Sequence, residues 1–368
     1  MQISSLEIAN LRIVEQLCIA PGPGLNFIQG PNGAGKTSVL EAIYLAGRGR
    51  TFRHSDAGPL IRRGADAASV IVQFSGENGG ALSRLGVRRD RSSLTCRLNG
   101  RDIKKRSILA ETLPLQWMGS QPQLLLGLGP EVRRRFIDLA LFHVEPTYLD
   151  AMTAFQRALR QRNAALRRGP ATAVRHWNVP LGSAAAVMDR RRAAFIELLL
   201  PRVRNFLERW SVEFELGWRY RRGWGKDIAL EDLLHQKVDQ DLRIGYTSVG
   251  PQRAELDLMA DGASAEKSLS RGQQKLLVLA LNLGVMDMII EAKGVAPVFL
   301  VDDLAAELDS ENRARLIGEL EQRDAQIFLT RIEGGALVPN QPSTVFHVEH
   351  GRLVVGEQSM GYRGSDSP

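Results

Sequence analysis

Residues 30–37 read Gly-Pro-Asn-Gly-Ala-Gly-Lys-Thr. A glycine, four residues and then Gly-Lys-Thr is a phosphate-loop pattern, and it constrains the chain because it works only between a strand and a helix. Both flanks comply. Residues 25–28 form a short apolar run that predicts a strand, and residues 38–45 set Val39, Leu40, Ile43 and Tyr44 on one helical face. Gly30, Gly33 and Gly35 let successive backbone N–H groups turn inward toward a phosphate chain, with Pro31, Asn32 and Ala34 completing the cradle. Lys36 would place its charge on the β- and γ-phosphates. Thr37 would offer its hydroxyl to Mg²⁺ at the positive end of the helix. ATP with Mg²⁺ is therefore the expected cofactor pair, and the expected fold class is α/β.

The remaining pattern divides the chain. Residues 70–74, 82–87 and 94–98 alternate like antiparallel strands, and Asn99-Gly100 is a hairpin signal. From residue 131 the pattern turns helical, over 131–141, 149–167 and 181–209, the last with Pro201 as a place to bend. Residues 210–220 alternate as a strand, and 228–242 return to helix. Strand patterns resume at 256–259, 298–301, 326–329 and 345–348, with helices at 270–291 and 310–322 and a small hairpin at 351–355. The expected layout is a head in two parts, 1–122 and 244–360, an inserted, mainly helical lobe at 123–243, and a disordered tail at 361–368.

Composition narrows the function. With 368 residues the chain exceeds one compact core. Its two cysteines, Cys18 and Cys96, lack metal-ligand spacing and suit a reduced, cytoplasmic protein. The start alternates like a strand rather than a signal peptide. The longest apolar stretch, 276–290, is interrupted by Asn282 and Asp287 and reads as a buried helix. Residues 131–243 hold 21 Arg and Lys against 14 Asp and Glu, whereas the rest of the chain holds 27 of each sign. A basic insert on a neutral body points to a polyanionic partner, most simply nucleic acid.

Two further motifs complete the chemistry. Residues 299–303, Phe-Leu-Val-Asp-Asp, form an apolar strand that delivers two acids at its carboxyl end. Asp302 would hold Mg²⁺ opposite Thr37, and Asp303 would polarise an attacking water. Residues 269–273, Leu-Ser-Arg-Gly-Gln, open a helix, where Ser270, Gly272 and Gln273 can face a γ-phosphate. This resembles the signature motif of the ATP-binding-cassette superfamily. That resemblance implies two nucleotides sandwiched in a symmetric dimer, each signature facing the other subunit's phosphate loop. Residues 306–309, Ala-Glu-Leu-Asp, resemble the D-loop of that superfamily, with Asp309 at the dimer seam and also in place to cap the next helix.

Lys36 and Ser270 lie 234 residues apart, too far for a transporter cassette and too close for a long coiled-coil insert. In its motifs the chain resembles the RecF family of bacterial recombination-mediator ATPases. The matching strings are Asn10-Leu11-Arg12, residues 30–44, Gly129-Pro130 followed by Arg133 to Asp138, residues 161–166, residues 250–256, residues 270–275 and residues 302–309. The resemblance implies an ABC-type P-loop ATPase head, with a mixed sheet, helices and an antiparallel β subdomain, plus the inserted lobe. It implies ATP-dependent dimerisation on duplex DNA near single-strand gaps, RecR- and RecO-like partners, and help in loading RecA. Asp303, a methylene shorter than the glutamate transporters use there, predicts slow hydrolysis that acts as a release timer. Gln121, or Gln123 just after it, takes the Q-loop place, with Gln121 preferred, and Thr330 stands where transporters carry the switch histidine. Candidate DNA contacts are Arg48, Arg50, Arg53, Arg133 and Arg134, with residues 190–192 and 218–222 as further basic clusters. A transporter-type ATPase subunit and a non-hydrolysing, nucleotide-gated scaffold are the competing expectations.

Overall fold

A computed structural model describes residues 1–53, 60–76, 81–119, 124–303, 309–332, 339 and 341–354. The chain forms two compact units, Met1–Gln121 with Lys293–Pro368, and Pro122–Ala292.

The first unit contains two six-stranded sheets. The mixed sheet runs Arg352–Val354, Thr344–Glu349, Leu25–Gln29, Ile327–Arg331, Val298–Val301, Leu115–Met118. Its pairs are parallel except at the terminal hairpin. Val298–Val301 is buried along its whole length, as expected of a strand covered on both faces. Leu329 lies opposite both Phe27 and Val301, so three strands end together at the edge that carries the phosphate loop and the acid pair. Phe27, Phe299 and Phe328 are fully buried here. Truncating any one to Ala would cost about 3–5 kcal/mol.

The second sheet is antiparallel and runs Val14–Ile19, Gln2–Leu11, Ala67–Ser75, Ser83–Asp90, Leu94–Leu98, Arg101–Asp102. Alternation sets its inner face: Ala68, Val70, Val72 and Phe74 are buried, and the residues between them are half-buried. The helix Lys36–Arg48 shares one core with both sheets through Val39, Leu40 and Ile43. Asn99 and Gly100 both take positive φ, 50° and 83°, as a type I′ hairpin turn requires.

In the second unit, Pro130–Val144, Tyr148–Arg168 and Asn178–Arg209 are the main helices before the signature helix Arg271–Lys293. The side chain of Arg162 is fully buried and donates to Asn178, Asp241 (2.7 Å) and Thr247. Three helices and the following turn are thereby tied to one guanidinium. The strand expected from residue 210 begins only at Leu216, because Trp210 caps the long helix and Ser211 turns with φ 53°. The helix expected over 228–242 is two, Leu230–Gln236 and Val238–Ile244, with Lys237 between them.

The return to the first unit comes at residue 293 rather than 244. The physical reason is strand pairing. Leu216–Arg221 pairs antiparallel with Glu255–Ala260, Trp218 opposite Leu258, and this pairing keeps the segments on either side of it in one unit. The tail expected at 361–368 lies outside the described residues.

Candidate nucleotide site and the flanking arginines

The phosphate loop leaves its strand through Gly30, whose φ is 153°. A Cβ there would meet the carbonyl oxygen of Val348 at 2.1 Å, so only glycine fits. Gly35, at φ 110°, caps the helix that starts with Lys36 and Thr37. The Lys36 ammonium is held on the loop by the carbonyls of Gly30 (2.8 Å) and Pro31 (3.0 Å).

Asp302 ends its strand against this loop. Thr37 Oγ1 and Thr330 Oγ1 each donate to Asp302 Oδ1 at 2.9 Å. The Asp303 N–H donates to Thr330 Oγ1 at 2.7 Å. Asp303 holds a left-handed backbone, φ 49°, which is costly for a residue with a Cβ. Thr330, fully buried, therefore binds both acids at once. Burial pushes the Asp302 carboxyl above the ordinary carboxylate value, and the two threonine hydroxyls oppose that shift. A cleft of about 300 Å³ opens here, lined by Asn32 to Ser38, Arg12, Ile13, Arg53, both acids and Thr330. Thr37 and Asp302 present hard oxygen donors to one point. That suits Mg²⁺, which keeps waters and takes few protein ligands.

Two positioning elements were not visible as motifs. Glu41, fully buried on the phosphate-loop helix, accepts two bonds from the Arg12 guanidinium (2.9 and 2.8 Å) and one from the Thr51 hydroxyl. Thr51 Oγ1 in turn accepts from the Arg53 N–H at 3.0 Å. An acid inside an otherwise apolar helix, Val39-Leu40-Glu41-Ala42-Ile43, was the available signal. Thr330 is the second, and it came into view only as an exception to the switch histidine.

In the second unit, Ser270 and Gln273 form a reciprocal cap. The Ser270 N–H donates to Gln273 Oε1 (2.9 Å), and the Gln273 N–H donates to Ser270 Oγ (3.3 Å). Ser270 and Gly272 are exposed. In the first unit, Asp309 caps Ser310–Glu321, accepting from the Asn312 N–H at 2.8 Å. Gln121 and residues 304–308 lie outside the described residues.

Residues 2–352 match the model of the RecF/RecN/SMC N-terminal domain family. A DNA replication and repair protein RecF from Thioalkalivibrio sulfidiphilus is 39% identical over 360 residues, covering 97% of this chain and 100% of that protein. The chain belongs to the RecF family. RecF from Pseudomonas aeruginosa is 38% identical, covering 96% of this chain and 97% of its own length. Two solved RecF structures, described as RecF-ATP and RecF-ATPrS in the RecFOR pathway, superpose with TM-scores of 0.86 and 0.84 at 21% identity. They cover 96% of this chain and 96% and 97% of their own. An SMC head bound to a domain of ScpA follows at a TM-score of 0.60. The ATPase-head fold is thus that of RecF and SMC heads.

Within this RecF-family chain, several arginines expected on DNA are engaged by the protein itself. Arg48 is buried and donates to the Leu115 carbonyl, and burial pushes its pKa down to about 10. It is not available to a phosphate backbone. Arg133 pairs with Glu255 at 2.9 Å, and Arg134 donates to the Ala254 carbonyl at 2.7 Å. In the other basic clusters, Arg192 holds Asp138 at 2.8 Å, and Arg219 and Arg221 share Asp257. Arg53 lines the phosphate-loop cleft, and Arg50 is exposed. No described helix is long and apolar enough to cross a membrane.

Proposed function

We propose that this chain binds ATP in the phosphate-loop cleft and closes, two copies together, on duplex DNA near single-strand gaps. The observation that carries the reading is the cluster of Thr37, Asp302, Thr330 and the Asp303 N–H within hydrogen-bond reach at the loop mouth. The loop N–H groups and Lys36 bind the phosphates, and Thr37 and Asp302 hold Mg²⁺. The ion supplies charge neutralisation on the β- and γ-phosphates. Asp303 orients and polarises the attacking water. Its side chain is one methylene shorter than the glutamate of transporter cassettes, so hydrolysis is slow and times release.

The exposed helix start Ser270–Gly272 is offered to the γ-phosphate held by a second copy, with Asp309 at the seam, and Gln121 serves as the Q-loop residue that senses the γ-phosphate. The dimer clamps the duplex, and RecR- and RecO-like proteins use the clamp to help load RecA. The similar proteins, a DNA replication and repair protein RecF and a recombination mediator RecF of the RecFOR pathway, support this assignment over a transporter subunit. The test is sedimentation velocity with and without ATP. Wild type should dimerise only with ATP, and Lys36→Ala and Ser270→Arg should not. A wild type that stays monomeric with saturating ATP, or a Lys36→Ala chain that dimerises equally, overturns it.

A further inference from the structure

The outer face of the antiparallel sheet carries charge that counting by thirds of the chain conceals. Residues 83–106 hold nine Arg and Lys against two acids, Asp90 and Asp102. Asp90 is turned onto its own hairpin, accepting from the N–H and hydroxyl groups of Ser92 and Ser93. Asp102 pairs with Arg97 at 2.8 Å. Along Ser83–Asp90, Leu85 and Val87 are buried, so Arg84, Gly86 and Arg88 lie on the opposite, outward face. Arg84 and Arg88 are exposed, and neither is paired with a carboxylate among the described residues. Arg97 lies opposite Gly86 on the neighbouring strand, and space is open over that glycine. Arg84, Arg88 and Arg97 thus share the outward face around that glycine, Arg97 as the partner of Asp102. On the other side, Arg84 and Arg88 face Gln73 and Ser69, which are uncharged.

The track continues past the hairpin. Arg91 lines a hollow of about 510 Å³ with Arg12, Arg62 and Arg63; among the described residues no acid lines it, and Arg62 is paired with Glu15 at 3.3 Å. Arg12 and Ile13 line both this hollow and the phosphate-loop cleft. We infer that duplex DNA lays its phosphate backbone along Arg84, Arg88 and Arg91, and that this track ends at the nucleotide. Four residues of strand separate Arg84 from Arg88 by about 13 Å, about four base pairs of duplex axis. The outward positions beside them, Gly86, Thr95, Ser69 and Gln73, offer no ring on which an unpaired base could stack. The face therefore fits a duplex backbone without base readout.

This rests on the proposal that the chain binds DNA, and the experiment separates the two. Fluorescence anisotropy with a 30-base-pair duplex and the matching single strand would be run with saturating ATP across a salt series. The proteins are wild type, Arg84→Ala/Arg88→Ala and Arg157→Ala/Arg160→Ala, the last removing equal charge from an exposed helix face of the second unit. Losing two phosphate contacts should lower the magnitude of the log–log salt slope by about 2 and weaken duplex binding on the order of 10- to 30-fold near 0.15 M salt. ATP affinity, read separately with a fluorescent nucleotide, should not move. If wild type binds no duplex, the proposed function fails. If wild type binds and the Arg84/Arg88 variant keeps its slope, or loses no more than the Arg157/Arg160 variant, this surface is wrong. A loss confined to the single strand also overturns it.

Discussion

Replacing Thr330 with Val removes one hydroxyl from a fully buried position and keeps the side chain's shape. Two bonds go with it. The bond to the Asp302 carboxylate, 2.9 Å, is of the charged type, worth roughly 1.5–3 kcal/mol. The bond accepted from the Asp303 N–H, 2.7 Å, is neutral and worth roughly 0.5–1.5 kcal/mol. Asp303 is half-buried, so water recovers part of the second. The first is partly backed by Thr37, which still donates to the same oxygen. The Asp303 backbone is held in a left-handed turn that costs a non-glycine residue roughly 1–2 kcal/mol. Without its hydroxyl anchor that turn relaxes and the acid moves off the water it should orient. A net loss of about 2 kcal/mol in the transition state follows, or about 30-fold in turnover. ATP affinity should change less than about threefold, because the loop and Lys36 are untouched. Single-turnover hydrolysis with a parallel nucleotide-binding titration reads the two separately. Thr330→Ser, which keeps the hydroxyl, should stay within about threefold of wild type. The reasoning fails if Val turns over within twofold of wild type, if Ser is damaged as badly as Val, or if ATP affinity falls in step with turnover.

Other substitutions probe the same picture. Asp303→Asn should leave ATP binding intact and trap the ATP-bound dimer, seen as a sedimenting species that persists for hours. A mutant that stays monomeric with ATP would contradict the sandwich. Arg48→Met should leave the DNA salt slope unchanged and fold at least as stably as wild type by thermal melting, since a buried guanidinium gives way to a well-packed apolar chain. Glu41→Gln should loosen Arg12 and the 51–53 loop, raising the Kd for ATP several-fold with little change in melting temperature. Unchanged affinity would remove Glu41 from the site. The raised Asp302 pKa makes a signed prediction for melts without Mg²⁺. The fold resists its ionisation, so its contribution is fully present below the ordinary value of 3.8 and is lost as pH rises through the raised one. Wild type should therefore gain on Asp302→Asn as pH falls through that window, and a flat difference would refute the assignment.

Much of the site was readable because its parts are local. The phosphate loop, the acid pair and the Leu269–Gln273 motif each fit within a few residues of chain, where turn chemistry and hydrophobic period act. The two threonines are different. Thr37 reaches Asp302 across 265 residues and Thr330 reaches it across 28. No local pattern says that a threonine ending one strand will bind the acids ending its neighbour. That follows from the parallel register that sets Leu329 opposite Val301. Glu41 is similar: its helix is legible, but its bond to Arg12 exists only because the first two strands turn over the loop. The unit boundary was misplaced for a related reason. Hydrophobic period finds the strand at 256–259, but pairing with Leu216–Arg221 decides which unit owns it.

Charge was the least legible property, and the physics says why. An exposed charge acts over about 8 Å at physiological salt, whereas a count over residues 131–243 averages across a whole lobe. Within that lobe, Arg162 and Arg192 are buried against Asp241 and Asp138, and Arg133 is held by Glu255. Each such pair presents little field to a partner, however it enters a net charge. The sheet residues 83–106 sit in a part of the chain that sums to neutral. Yet their two acids are bound within the hairpins, while Arg84 and Arg88 stand in water on one face. The surface that can hold a polyanion is therefore the one where cations outnumber reachable carboxylates within a screening length, and a strand's period of two can assemble it from residues that no composition window separates.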